Sequence, residues 1–178
     1  MTSILGIPVP SRDPVFLAIV VVHVLFGLAS VVSGALAMLS RKGRGRHSKL
    51  GTAYFWCLFA VFLSMSALSA LRWDENRHLF VLGLAAFLSA CLGRIALRRR
   101  WRGWIRFHVL GMGSSYILLL TAFYVDNGKS LPIWNLLPQI AFWFVPAIFG
   151  VPLLVWTLSR HPLVRSLDRT GRGPESLP

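Results

Sequence analysis

Residues 14–49 read PVFLAIVVVHVLFGLASVVSGALAMLSRKGRGRHSK. From Pro14 to Ser40 there is no Asp, Glu, Lys or Arg, and then five cations, Arg41, Lys42, Arg44, Arg46 and Lys49, fall within nine residues. A helix of about 20 apolar residues, rising about 1.5 Å per residue, crosses about 30 Å of hydrocarbon. The stretch is therefore long enough to span a bilayer and ends at a cationic boundary. Its one ionisable side chain is His23.

Outward from this stretch the same alternation recurs. Apolar runs near 14–39, 50–71, 78–97, 105–125 and 139–159 predict five transmembrane helices. Three clusters, Arg41 to Lys49, Arg94 to Arg106 and Arg160 to Arg172, hold fifteen of the nineteen Lys and Arg residues. Five spans put all three on one side. On the other, Arg12, Arg72, Arg77 and Lys129 are balanced by Asp13, Asp74, Glu75 and Asp126, so the basic side, less Asp168 and Glu175, carries the whole net charge of +13. Short loops are the regime in which Lys and Arg set orientation, which predicts a multi-pass protein of the bacterial inner membrane with the N-terminus outside and the C-terminus cytoplasmic.

Composition excludes a soluble domain: 55% of residues are hydrophobic, 14% are charged and mean hydropathy is +0.63. A pI near 11.5 invites a nucleic-acid reading. The confinement of the cations to short loops beside apolar spans argues for membrane orientation instead, with no nucleic-acid partner. The expected partner of those loops is the anionic headgroup layer, which attracts a surface cation by about 1 kcal/mol. Residues 1–160 read as one transmembrane domain and 161–178 as a basic, disordered tail. Met1 to Pro14 lacks a cationic n-region, so the first span reads as retained. Cys57 and Cys91 lie inside spans and read as packing residues.

Spans one to four look like a duplicated hairpin. Leu25-Phe26-Gly27-Leu28-Ala29, leading to Ser33-Gly34 and a cation cluster, is echoed by Leu79 to Ala85 leading to Leu92-Gly93 and the next cluster. Arg46-His47 with Gly51 and Tyr54 is echoed by Arg106-Phe107-His108 with Gly111 and Tyr116. The fold class that follows is all-α: a four-helix bundle with a pseudo-twofold axis along the membrane normal and a peripheral fifth helix. The fifth span contains Pro146 and Pro152 and predicts a kink. The loop 126–138 before it is expected either to lie on the membrane surface or to cover the end of the bundle.

Helical spacing gives the bundle an interior. His23, Gly27, Ser30 and Gly34 form one inward stripe and His78, Ala85, Ser89 and Gly93 another; His47, Gly51, Tyr54 and Leu58, and His108, Met112 and Ser115, form the remaining two. Depth pairs the histidines. His23 and His78 each lie about 27–30 Å along their helices from the basic boundary, whereas His47 and His108 sit beside it. Two His pairs at opposite ends of a bundle suit bis-imidazole ligation of two b-type haems, with His23, His78, His47 and His108 as the iron ligands. Arg46, Arg94 and Arg106 are then candidate propionate partners. Arg94 lies a turn inside its span, where an unpartnered cation costs about 3 kcal/mol.

A plainer reading stands beside this one. His47 and His108 suit lipid phosphates or loop carbonyls, His78 suits a helix end, and His161 is solvated. No P-loop, dinucleotide fingerprint, HExxH, GxSxG or CxxC is present, and the predicted spans carry no carboxylate, which lowers the weight of ion-coupled transport. Ser64, Ser66, Ser69, Ser114, Ser115 and Thr121 read as helix-packing hydroxyls, and no catalytic residue is assigned.

The combination of His23, Arg46-His47 with Gly51 and Tyr54, and His108 with Tyr116 resembles the bacterial integral membrane proteins grouped as domain of unknown function 2306. Gly111-Met112-Gly113-Ser114-Ser115-Tyr116 through Asp126-Asn127-Gly128 to Leu131-Pro132 adds to the likeness, which covers roughly residues 15–155. It implies the architecture and no reaction. A looser similarity runs to cytochrome b561-type four-helix haem proteins, and another to small membrane factors that mature haem-copper oxidases. The first implies electron transfer with haem b, linked to a quinone or a membrane redox partner. The alternative is a non-enzymatic membrane partner, such as an oxidase assembly factor or a complex subunit; a transporter is the third reading.

Overall fold

The computed structural model describes residues 2–4, 7–9, 13–41, 45–132 and 134–160. The tail 161–178, His161 and Lys42 to Arg44 lie outside the described residues. Helix α1, Pro14–Leu39, begins behind Asp13, whose carboxylate accepts a hydrogen bond from the Val15 amide at 2.9 Å. Proline suits that first turn because its missing N–H would have had no helical partner. Helices α2, Arg46–Leu71, α3, Trp73–Arg99, and α4, Trp104–Asn127, follow, and α5 is Val145–Arg160. A short antiparallel hairpin precedes them, with β1 at Thr2–Ile4 and β2 at Ile7–Val9, Thr2 paired with Val9. The hydropathy pattern gave no sign of it.

Among the described residues, five helical segments are long and apolar enough to cross a membrane: Pro14–Leu39, Arg46–Leu71, Trp73–Arg99, Trp104–Ser130 and Gln139–Arg160. The protein is an all-α, multi-pass membrane bundle. Its outward faces agree, with Leu28 63% exposed on α1 and Phe149 73% exposed on α5. Faces of that kind match hydrocarbon and would be an aggregation liability in water.

The helices overrun the apolar windows. Arg72 alone separates α2 from α3, its guanidinium lying 4.9 Å above Phe16 and 3.3 Å from the Glu75 carboxylate. Asp74 and Glu75 thus fall in the first turn of α3, where negative charge complements the helix dipole. Asp126 falls near the end of α4, so the expectation of acid-free spans holds for the apolar windows and fails for the helices themselves.

The most extensive packing is between α3 and α4, then between α1 and α2; α2 on α3 is less extensive, and the α1–α4 contact is narrow. This is the two-hairpin organisation. Helix α5 lies outside, chiefly against α4, with Gly113 facing Leu154 and Gly150 facing Ile117. At the centre of the second hairpin a Cβ on Gly111 would stand 2.6 Å from both Gly93 N and Ser89 O. In the first, a Cβ on Gly34 would meet the Tyr116 ring at 2.6 Å and the Tyr54 ring at 3.0 Å. The inward stripe of α3 is rotated by one position from expectation, since Leu82, Ala86, Ala90 and Gly93 are buried while Ala85 and Ser89 are half-buried.

After α4 the chain makes three short 3-10 segments, Gly128–Ser130, Trp134–Leu136 and Gln139–Trp143. Phe142 is fully buried, packed with Phe16, Met65, Leu68, Leu79 and Val125 at the end of the bundle away from the cation clusters. Gly128 admits it, since a Cβ there would stand 2.7 Å from the Phe142 ring. The segment therefore plugs that end. Only from Val145 is the fifth span α-helical, with Pro146 in its first turn and Pro152 inside it.

Gly111→Ala forces two backbones apart, and we expect it to destabilise the detergent-solubilised protein by about 1–3 kcal/mol in a denaturant or thermal melt. Gly27→Ala, which meets nothing within 4 Å, is expected to be neutral or to stabilise. Equal effects of the two substitutions would contradict the packing described.

Candidate functional site

The basic end brings two histidines together. His47 lies in the first turn of α2 and His108 in the second turn of α4, and their ring centres are 6.4 Å apart at an interplanar angle of 83°. Each ring is held the same way. His47 Nδ1 is 2.8 Å from the carbonyl oxygen of Ala37 on α1, and His108 Nδ1 is 3.0 Å from that of Gly93 on α3. A carbonyl only accepts, so Nδ1 carries the proton in both rings and donates it; in a neutral imidazole the lone pair is then on Nε2. Both histidines are half-buried.

This equivalence follows from the repeat. Each hairpin turns at the basic end, which lays the first residues of its second helix beside the last turns of its first. Gly34, close-packed against Tyr54 and Tyr116, is one turn from Ala37; Gly93, close-packed against α4, supplies its own carbonyl. Gly51, one turn beyond His47 on α2, has no atom within 4 Å of a Cβ position.

Above the pair the interior closes. Tyr54 is 2% exposed, and its hydroxyl is 2.8 Å from Ser115 Oγ, while Tyr116 donates to the Val31 carbonyl at 3.1 Å. Ser115 itself donates to Met112 O at 2.8 Å, so its oxygen accepts from Tyr54. Leu58, Ala86 and Ala90 complete this layer at 1% exposure or less. The hydroxyls of Ser66 and Thr121 bond backbone one turn back, as packing hydroxyls do, whereas those of Ser30 and Ser69 are buried with no hydrogen-bond partner among the described residues.

The far end differs. His23 and His78, expected to face each other, make no ring contact among the described residues. His23 Nδ1 is 2.9 Å from Ser64 Oγ on α2, and Ser64 donates its own proton to the Ala60 carbonyl at 2.9 Å. His78 packs against Trp143 of the plug, the ring centres 6.1 Å apart and the planes tilted by 45°. What the two share is Asp126, within electrostatic range of both. The plug explains the divergence, because Phe142 and Trp143 occupy the space between the helix ends.

The candidate cations also separate. Arg94 lays its guanidinium 4.5 Å above the Phe55 ring, a cation–π contact. Arg46 lines a cleft between α1 and α2, and Arg106 is half-buried in the first turn of α4. Cys57 and Cys91 are free and half-buried. No group of three or more His, Cys, Asp or Glu suited to a metal ion occurs among the described residues. A wide, shallow groove of about 680 Å³ runs between the far halves of α1 and α2, its walls apolar except for Ser64. Compared with protein-family models, with curated proteins and with solved structures, the chain gives no match.

The Tyr54–Ser115 bond carries a measurable asymmetry. Ser115→Ala leaves a buried phenol without an acceptor and should cost about 1–3 kcal/mol, whereas Tyr54→Phe removes the donor and should cost about 1 kcal/mol. In a double-mutant cycle the combined variant should be less destabilised than the sum of the two; strict additivity would show that the bond is not formed.

Proposed function

We propose that this is a small membrane electron-transfer protein that holds one b-type haem at its basic end between His47 and His108, within the family resemblance set out above. One observation carries the reading. Two imidazoles with one metal ion directly between them, at metal–nitrogen distances of about 2.0 Å, would have their ring centres about 6 Å apart; this pair stands at 6.4 Å. Protonated Nδ1 atoms anchored on backbone carbonyls support it further, since such bonds fix ring orientation and strengthen Nε2 as a ligand.

Haem b, when bound, supplies one-electron transfer. The chain's part is to hold and to insulate. His47 and His108 ligate; the Ala37 and Gly93 carbonyls set their orientation; Arg106, two residues before His108 in the first turn of α4, is the candidate cation for a propionate. The packed layer of Tyr54, Leu58 and Ala90 excludes water from the direction of the far end. A membrane quinone or a redox protein at the basic face is the electron partner in this reading. The two-haem expectation is not carried forward, because His23 and His78 are taken up separately by Ser64 and Trp143.

The test is the visible spectrum of detergent-purified protein from haem-replete cells, oxidised and then reduced with dithionite. A Soret band and sharp α and β bands at one haem per chain are expected, lost in His47→Ala and in His108→Ala and retained in His23→Ala and His78→Ala. A colourless wild-type protein, or loss with His23→Ala alone, would overturn the proposal and turn the assignment to a non-enzymatic membrane partner.

A further inference from the structure

At the basic end, the outward side of the first hairpin carries a cleft of about 260 Å³ lined by Leu36 and Ser40 of the α1 end and by Arg46, Lys49 and Leu50 of α2. We propose that this cleft is a discrete binding site for the phosphodiester headgroup of an anionic phospholipid. It stands independently of the haem reading.

The order of chemistry along the two helices matches that of a lipid. Ser40 and Arg46 lie at the boundary, and on each helix a leucine, Leu36 or Leu50, sits one turn deeper in the hydrocarbon. Arg46 and Lys49 are three residues apart, so their side chains lie on one face of α2 and converge on the same space. The Ser40 hydroxyl is already donated to Leu36 O at 2.6 Å, which leaves the two cations as the donors to a ligand. Neither forms a salt bridge among the described residues, and the sequence offers no carboxylate between Asp13 and Asp74. An inorganic anion would use only the cationic mouth. Leu36, 47% exposed, and Leu50 provide the apolar floor that an acyl chain covers.

The cleft differs from general attraction to a negative surface, because other described cations at this end, Arg98 and Arg99 of α3 among them, lie outside it. Native mass spectrometry of the full-length protein released from detergent, after incubation with phosphatidylglycerol or phosphatidylcholine, separates the two. The wild type should retain one phosphatidylglycerol per chain and little phosphatidylcholine. Arg46→Gln/Lys49→Gln should weaken that retention by about 30-fold, the effect of two surface charges, and Arg98→Gln/Arg99→Gln should leave it unchanged. Lys49→Glu alone should also weaken it, which keeps the test available should the double variant misfold. Equal loss in both double variants would reduce the site to diffuse attraction, and retention in the Arg46/Lys49 variant would exclude the cleft. Displacement of the lipid by inorganic phosphate alone would make it an ion site. Each of these three results overturns the proposal.

Discussion

Helices surrounded by lipid gain no hydrophobic stabilisation from touching one another, so they must be held by close van der Waals approach and by hydrogen bonds. Here that constraint falls most heavily on Gly93 and Gly111. With Gly111 so near the α3 backbone that any Cβ would collide with it, the register of α3 on α4 is fixed to within a fraction of a turn. The same Gly93 offers the carbonyl that takes the His108 proton. Packing and site geometry are therefore one constraint on this side of the bundle: sliding α4 by one residue would break the glycine contact and the histidine anchor together.

The first hairpin solves the problem with different residues. Gly34 gives way to two aromatic rings, Tyr54 from its own hairpin and Tyr116 from the other, so it locks three helices where Gly93 locks two. Tyr116 then reaches the Val31 carbonyl and Tyr54 reaches Ser115, which ties α1 to α4 and α2 to α4 across an otherwise narrow interface. The two hairpins differ in how they are packed and agree in what they present, a histidine whose Nδ1–H is donated to a carbonyl of the preceding helix. Agreement at that point, against a background of different packing, is the strongest structural sign of a repeat.

Much of this was legible in the residues. Charge-free runs between cation clusters fixed the spans, because burial of charge in hydrocarbon leaves the sequence little freedom; the start and end of the first span, at Pro14 and Leu39, were read correctly. Helix ends beyond the apolar windows were not. Trp73 to Arg77 and Asp126 are polar or interfacial, so hydropathy assigned them to loops; Asp74 and Glu75 in the first turn of α3 complement the helix dipole, while Asp126, in the last turn of α4, has no such support. Depth arithmetic set His47 level with His108 and His23 level with His78, but depth along a helix says nothing about azimuth or about what a later loop inserts. The signal missed was Phe142 together with Gly128. A small residue at the turn after α4 and an aromatic fourteen residues on can be matched only once the chain has folded back.

Why one pair of histidines meets and the other does not comes down to where the connections lie. At the basic end the connections between α1 and α2 and between α3 and α4 are short, so the starts of α2 and α4 lie against the ends of α1 and α3 and the two rings meet. At the far end α2 passes directly into α3 through Arg72, while α4 leads into a long connection whose aromatic residues find their lowest-energy place in the bundle mouth. Once Phe142 is there, His78 meets Trp143 and His23 must turn to the nearest polar group on α2, Ser64. A single insertion of apolar volume thus converts a symmetric bundle into one with a sealed end and an end where paired imidazoles remain close to the membrane surface. Any chemistry that needs two histidines acting on one ligand is therefore confined to the basic face.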